Sequence, residues 1–223
     1  MKPFVVVASL LLVTSLAQAE EEPLSVSPKV PSFHLGIRTG YALPFGNTND
    51  ATTSTGLVQT SLSDAVSGGI PFILDLGYRL TPHIILGVYG QYGYVFVKEG
   101  DAGCPSGGEC SGADYRFGIQ GRYDFSPENA LRPWVGLGLG YEILTGTGTY
   151  SGFEFSRSFW GFEFVNVQGG ADFAISKSLA IGPFAQFSVG QFSKTKTPLG
   201  SDNQDITGTH GWLTLGVAGS AEF

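Results

Sequence analysis

The stretch "WVGLGLGYEIL" (Trp134 to Leu144) places glycine at every second position, at Gly136, Gly138 and Gly140. A nucleotide-binding turn needs G-x-G-x-x-G between a strand and a helix, with the helix N-terminus on the pyrophosphate. Here the third glycine comes one residue early, Tyr141 takes the place that fingerprint requires, and no helical pattern follows. The intervening residues Val135, Leu137, Leu139, Tyr141 and Ile143 are all large and apolar. A period of two is the mark of a strand with one apolar face. The question is why its other face is nearly all glycine.

Working outward, seven more segments alternate in the same way. Leu35, Ile37, Thr39 and Tyr41 oppose His34, Gly36, Arg38 and Gly40; Phe72, Leu74, Leu76 and Tyr78 oppose Pro71, Ile73, Asp75, Gly77 and Arg79. Leu86, Val88, Tyr92 and Tyr94 oppose Gly87, Tyr89, Gln91 and Gly93; Tyr115, Phe117, Ile119 and Tyr123 oppose Asp114, Arg116, Gly118, Gln120, Arg122 and Asp124. Arg132 and Glu142 extend the glycine face of the opening stretch. Val165, Val167, Ala171 and Phe173 then oppose Asn166, Gln168, Gly170 and Asp172. Ile181, Ala185 and Phe187 oppose Gly182, Phe184 and Gln186, and Leu213, Leu215 and Val217 oppose Trp212, Thr214, Gly216 and Glu222. Short turns (Leu80 to Ile84, Ser126 to Ala130, Ser176 to Ser178) alternate with long polar or glycine-rich loops (Pro44 to Ala65, Glu99 to Gly112, Thr145 to Phe164, Ser193 to Thr209). This describes an antiparallel meander closing as an eight-stranded up-and-down barrel. No helix signal stands outside the leader.

Alternation alone does not say which face is the interior. A lipocalin-like soluble barrel would turn the apolar face inward, and a membrane barrel outward. Eight strands leave an interior just wide enough for side chains or one small ligand, too narrow for five or six large apolar groups per strand. A glycine face suits that narrow lumen. Charge type points the same way. Five of the six arginines (Arg38, Arg79, Arg116, Arg122, Arg132) fall on the glycine face, whereas every lysine after the leader lies near a strand end, in a loop or in the N-terminal lead. Arginine has the planar fork for carboxylate pairs, and lysine prefers bulk water. Outward aromatics gather near both strand ends, as in the girdles of a membrane barrel.

Composition agrees. Only 14% of the 223 residues are charged, 13% are aromatic and 33 are glycine. A formal charge of −7 gives no footprint for nucleic acid. Residues 1–19 read as a signal peptide: Lys2, an apolar run from Phe4 to Val13, and "AQA" before Glu20. Residues 20–31 form an acidic, proline-containing lead, and 32–223 the barrel domain. Export makes a disulfide the default for Cys104 and Cys110 in "CPSGGEC". Two thiols with no nearby histidine are only half a zinc site. No cofactor motif is present.

Signal peptide, eight alternating strands, alternating connection lengths and a last strand "GWLTLGVAGSAEF" ending in Phe223 resemble the small bacterial outer-membrane barrels of the OmpA, OmpX and OmpW type. The resemblance implies residence in the outer membrane among its lipids. It also implies Phe223 as a signal read by the outer-membrane assembly machinery. A monomer is expected. Within the family the function is open between a structural, interaction or small-pore role and passage of small hydrophobic solutes. Some such barrels modify lipids, with His and Ser on the outer surface near the top; here His210, near Thr209 and Ser193, is the only remote candidate.

Two site expectations follow. Inward charges fall in tiers: Arg79, Arg122 and Arg132 with Asp124, Asp172 and Glu222; Arg38 with Asp75; and Arg116 with Asp114 and Glu142. Charges in a narrow lumen lose water and need partners, so these form ion pairs that block it. The second is "GFEFSRSFWGFEF", with Phe153, Phe155, Phe159, Trp160 and Phe162. Its apolar phase slips after Phe159 and again after Phe164, which suggests bulges. It is either a strand extension on its hairpin partner or an exposed aromatic patch for a lipid, solute or partner.

Overall fold

The computed structural model describes residues 30–53, 56–100, 104–196 and 204–223. The stretch expected to be a signal peptide and most of the expected N-terminal lead lie outside the described residues. The strands are β1 (Ser32–Thr53), β2 (Gly56–Ser61), β3 (Val66–Arg79), β4 (Ile84–Val97), β5 (Glu109–Asp124), β6 (Leu131–Tyr150), β7 (Phe153–Ala174), β8 (Leu179–Lys196) and β9 (Gln204–Glu222). Eight of them, β1 and β3 to β9, form a closed antiparallel up-and-down barrel. Closure runs from His34 opposite Glu222 to Gly46 opposite His210. The short β2 pairs with the upper end of β1.

The alternation reads out as expected. Leu137 is 64% exposed on the outer wall, and Ile119, Leu215 and Val217 are more than half exposed there. The even residues of β6 turn inward, and their glycines leave room for what the lumen holds. A Cβ on Gly140 would collide with the Tyr89 hydroxyl and stand 2.7 Å from the Phe117 carbonyl. One on Gly136 would stand 3.1 Å from the Gln168 side chain, and one on Gly138 3.0 Å from the Ile119 carbonyl. The glycine stripe is therefore the space taken by Tyr89 and the glutamines. That space compensates for the strand propensity glycine lacks.

The upper end departs from the expected loops. The stretch from Pro44 to Ala65 continues β1 to Thr53, then gives β2 and the one-turn helix α1 (Leu62–Ala65). The helix forms because Leu62 finds a buried apolar site, and the Lys98 backbone N–H donates to the Ala65 carbonyl at 2.8 Å. Four residues are too few for a helical period to show in sequence. The stretch from Thr145 to Phe164 is not a loop but a continuous hairpin, turning at Ser151 and Gly152. Both have positive φ, 50° and 81°, as a two-residue type I′ turn requires.

Both phase changes coincide with register slips. β7 slips register between Glu163 and Val165, and Phe164 and Val165 both point outward. At the other phase change β7 keeps its register with β6, Phe159 facing Leu144 and Trp160 facing Ile143, but slips against β8 between Trp160 and Gly161, where Ser193 is the extra residue on β8. Above the lipid level the inner face of the hairpin takes the aromatics, and its outer face takes Thr145, Thr147, Ser156 and Ser158.

Candidate functional site

The lumen is stratified. At the short-turn end, Arg79 lies 2.9 Å from Asp124 and 2.7 Å from Glu222. Arg122 lies 2.7 Å from Asp124 and 2.6 Å from Asp172, with its guanidinium 4.4 Å over the Trp134 ring. The Trp134 indole N–H donates to Asp172 at 3.0 Å, and His34 lies 2.8 Å from Glu222. Arg132 joins none of these ion pairs. Its register partner is Asp172, but the Asp172 oxygens are taken by Arg122 and Trp134, so the Arg132 Nε donates instead to the Asn129 carbonyl at 3.0 Å.

At mid-height a ring of side chains crosses the lumen. Arg38 grips Asp75 with two hydrogen bonds, Nε at 2.7 Å and a terminal nitrogen at 2.8 Å. Its other terminal nitrogen donates to Gln168 and, at 2.9 Å, to Gln186. Gln168 donates to Gln120 at 2.8 Å, and Gln120 donates back to Asp75 at 2.8 Å. The circuit visits β1, β3, β5 and β7, with β8 as a fifth contact. A cavity of about 30 Å³ lies beneath it, bordered by His34, Arg122 and Trp134, room for about two water molecules.

The upper tier is acidic. Arg116 faces Asp114 at 3.0 Å, Glu142 at 3.1 Å and Glu163 at 3.4 Å, and donates to the Ser188 hydroxyl at 2.8 Å. Tyr89 donates its phenol to Glu163. His210 lies 2.7 Å from Glu142, and the Trp212 indole N–H donates to Glu142 at 3.1 Å. Above this tier sits an apolar lid: Leu62, Val66, Val95, Leu144 and Phe192, with Trp212 beneath and Phe159 packed against it. Phe192 stacks on His210 with ring centres 3.7 Å apart.

The alternation therefore placed Arg38, Asp75, Arg79, Asp114, Arg116, Arg122, Asp124, Glu142, Asp172 and Glu222 where charges meet. It missed Glu163, which the sequence reading left in a loop. A single bulge at Phe164 would have restored the phase and carried Glu163 inward. It also missed the glutamine ring, because alternation gives height and face but not which strands meet across the lumen.

Outside the lumen, Cys104 and Cys110 form a disulfide at the long-connection end. The aromatic stretch divides between two faces. Phe153, 78% exposed, and Phe155 lie on the inner face of the extended hairpin; Phe155 covers Gly148. Phe159 packs against the lid, 5.4 Å from the Phe192 ring, while Trp160 and Phe162 face outward. There is thus no single patch of all five. His210 is buried on Glu142, and Ser193 donates to the Trp160 carbonyl, so the two are engaged elsewhere and not with each other. Phe223 is 69% exposed and exchanges two backbone hydrogen bonds with Phe33, locking the chain end into the closing seam.

A barrel whose outer wall carries a continuous apolar band, with aromatics at both rims and charges inside, is built for lipid. Comparison with known proteins agrees. Neisserial surface protein A is similar at 17% identity and a TM-score of 0.50, over 86% of this chain and 97% of that one. AlkL, an outer membrane protein solved by solid-state NMR in DMPC bilayers, is similar at 15% identity and a TM-score of 0.52, over 92% and 97%. These likenesses show the fold alone. A probable rhamnogalacturonase E of Aspergillus flavus is 29% identical over 142 residues, and the chain spans 30% of the length of that relative. Residues 5–217 match the outer membrane protein beta-barrel domain, and the chain belongs to that family of transmembrane barrels.

Proposed function

We propose that this protein is a closed, non-enzymatic barrel of the bacterial outer membrane, exported by its signal peptide and inserted as a monomer. Its work is structural or adhesive at the exterior rim, not conduction. One observation carries the reading: the mid-lumen ring of Arg38, Asp75, Gln120 and Gln168 joins opposite walls of the barrel. An ion crossing that height would have to break charge-assisted hydrogen bonds in a site with little water, at a cost of several kcal/mol. The apolar lid above it supports the same reading. The exposed terminal Phe223, in alternation with apolar outer residues, supports recognition by the assembly machinery.

The test is planar-bilayer recording of the purified, heat-modifiable barrel. The expected result is no steady conductance. Large steady conductance through the wild-type protein would show an open pore and refute the proposal. Uptake of apolar solutes into liposomes above protein-free controls would move the function to solute passage. A change in lipid A mass on expression would move it to lipid modification.

A further inference from the structure

We infer that the outward face at the top of β7 and β8 binds a phosphorylated glycolipid headgroup of the outer leaflet. The wall changes chemistry abruptly there. Up to Phe162, Phe164 and Val189 the outward residues are apolar. Next stands Trp160, its ring 6.4 Å from that of Tyr141. Beyond it on these strands come hydroxyl groups, the Lys194 and Lys196 ammoniums and, at the tip of the β6–β7 hairpin, the Glu154 carboxylate. The register sets Lys194 opposite Trp160 and Lys196 opposite Ser158. The Ser158 hydroxyl in turn meets that of Thr145 at 3.1 Å. This boundary marks the level at which acyl chains give way to headgroups.

At that level three donor groups meet no protein acceptor among the described side chains, which do not include that of Asp205. Lys196 holds its ammonium 5.0 Å over the Trp160 ring, and neither it nor Lys194 makes an ion pair among the described residues. The Trp160 indole N–H is buried and has no acceptor. Asp205 stands opposite Lys194 in register on β9, one acidic position against two basic ones. In a chain of formal charge −7, two neighbouring lysines at the lipid boundary are out of keeping with the rest of the surface. Elsewhere on this rim Lys98 is tied to the Ser63 carbonyl at 2.6 Å.

The ligand these groups fit carries several anionic oxygens at headgroup height and acyl chains below it. Phosphate oxygens would accept from both ammoniums and from the indole N–H. The chains would lie along Phe162, Phe164 and Val189. A soluble phosphate would use only the upper half of the site. The inference rests on the transmembrane fold and not on whether the lumen conducts.

The experiment uses the full mature chain in detergent micelles, with native mass spectrometry counting bound lipid. The probes are lipid A bearing both phosphates and the same acyl species without them. Each lysine near a membrane surface contributes about fivefold toward an anionic headgroup, so the wild type should prefer the phosphorylated probe by about 30-fold. Lys194→Ala with Lys196→Ala should bring the two probes to within about twofold, while the paired Lys→Arg changes keep the preference. Both variants must still shift on heating in gels, which separates lost binding from lost folding. Equal wild-type affinity for the two probes, or a preference that survives the paired alanine change, would overturn the assignment. So would full displacement of lipid by inorganic phosphate, because the site would then be for a free anion.

Discussion

Arg38→Ala tests the filled lumen most directly. Arg38 is 3% exposed and loses two hydrogen bonds to Asp75, three to glutamines and a ring contact with Phe184 at 5.5 Å. What remains is worse than what is removed. Asp75 is left buried with only Gln120 donating to it, and removing one partner of a buried pair costs about 3–5 kcal/mol. Asp75→Ala should cost a similar amount by stranding the guanidinium. The double variant should not cost the sum. With both charges gone, the remaining loss is that of glutamines without partners, about 1–3 kcal/mol each where they find no water. The coupling between the two sites should therefore be about 2–4 kcal/mol. Urea unfolding from lipid vesicles, followed by fluorescence, reads this well because Trp134 and Trp212 are buried in the lumen. Costs that simply add, with coupling under about 0.5 kcal/mol, would mean that Arg38 and Asp75 are independently hydrated and that the ring is not a plug.

Four further outcomes are expected. Leu137→Arg should cost about 2–4 kcal/mol by placing a charge at the bilayer midplane, and Gly138→Ser about 1 kcal/mol; equal costs in the same unfolding assay would reverse the inside and outside assignment. Gly140→Ala should cost about 1–3 kcal/mol and displace Tyr89 from Glu163, visible as a changed tyrosine signal in near-ultraviolet circular dichroism. Glu163→Gln should be neutral within about 1 kcal/mol or stabilising, because three carboxylates share one arginine, whereas Glu142→Gln should cost more through its bonds to Arg116, His210 and Trp212. Cys104→Ser with Cys110→Ser should leave barrel unfolding within about 1 kcal/mol of wild type, since the bridge closes a loop tip; mass spectrometry of the native protein should find both cysteines oxidised.

The barrel was legible because lipid and a narrow lumen each impose a strict rule on alternate residues. Leu137 must be apolar and Gly138 small, and the pattern repeats around the wall. The height of each charge was legible for the same reason. Legibility failed where the rule relaxes. Above the lipid, Thr145, Thr147, Ser156 and Ser158 take the outward positions, so the alternation of the β6–β7 hairpin fades into a loop-like composition although the strands continue. Arg132 shows another limit. Its face was readable, but Asp172 was already engaged by Arg122 and Trp134, and competition between donors for one carboxylate leaves no trace in sequence. The Arg38 ring depends on the stagger of the barrel, which brings β1 across to β7 and which alternation within a strand does not encode.

The acidic upper tier and the apolar lid are a single construction. The middle tier balances Arg38 against Asp75. At the short-turn end Arg79 and Arg122 are paired to Asp124, Asp172 and Glu222, with His34 on Glu222. The upper tier sets Arg116 alone against three carboxylates. Three neutral donors add to it, the Tyr89 phenol on Glu163, the Gln91 amide on one Asp114 oxygen at 2.8 Å and the Trp212 indole on Glu142, while the other Asp114 oxygen is buried without a partner among the described residues. A second arginine here would extend a long, hydrated fork into the space the lid occupies. Aromatic donors avoid this because one edge is polar and the faces are apolar. Trp212 gives its N–H to Glu142 below while its ring joins the lid above, and His210 faces Glu142 at one edge while Phe192 covers its plane. The same side chains thus satisfy the buried Glu142 and supply the surface on which the lid packs, so neither the tier nor the lid can loosen without exposing the other to water.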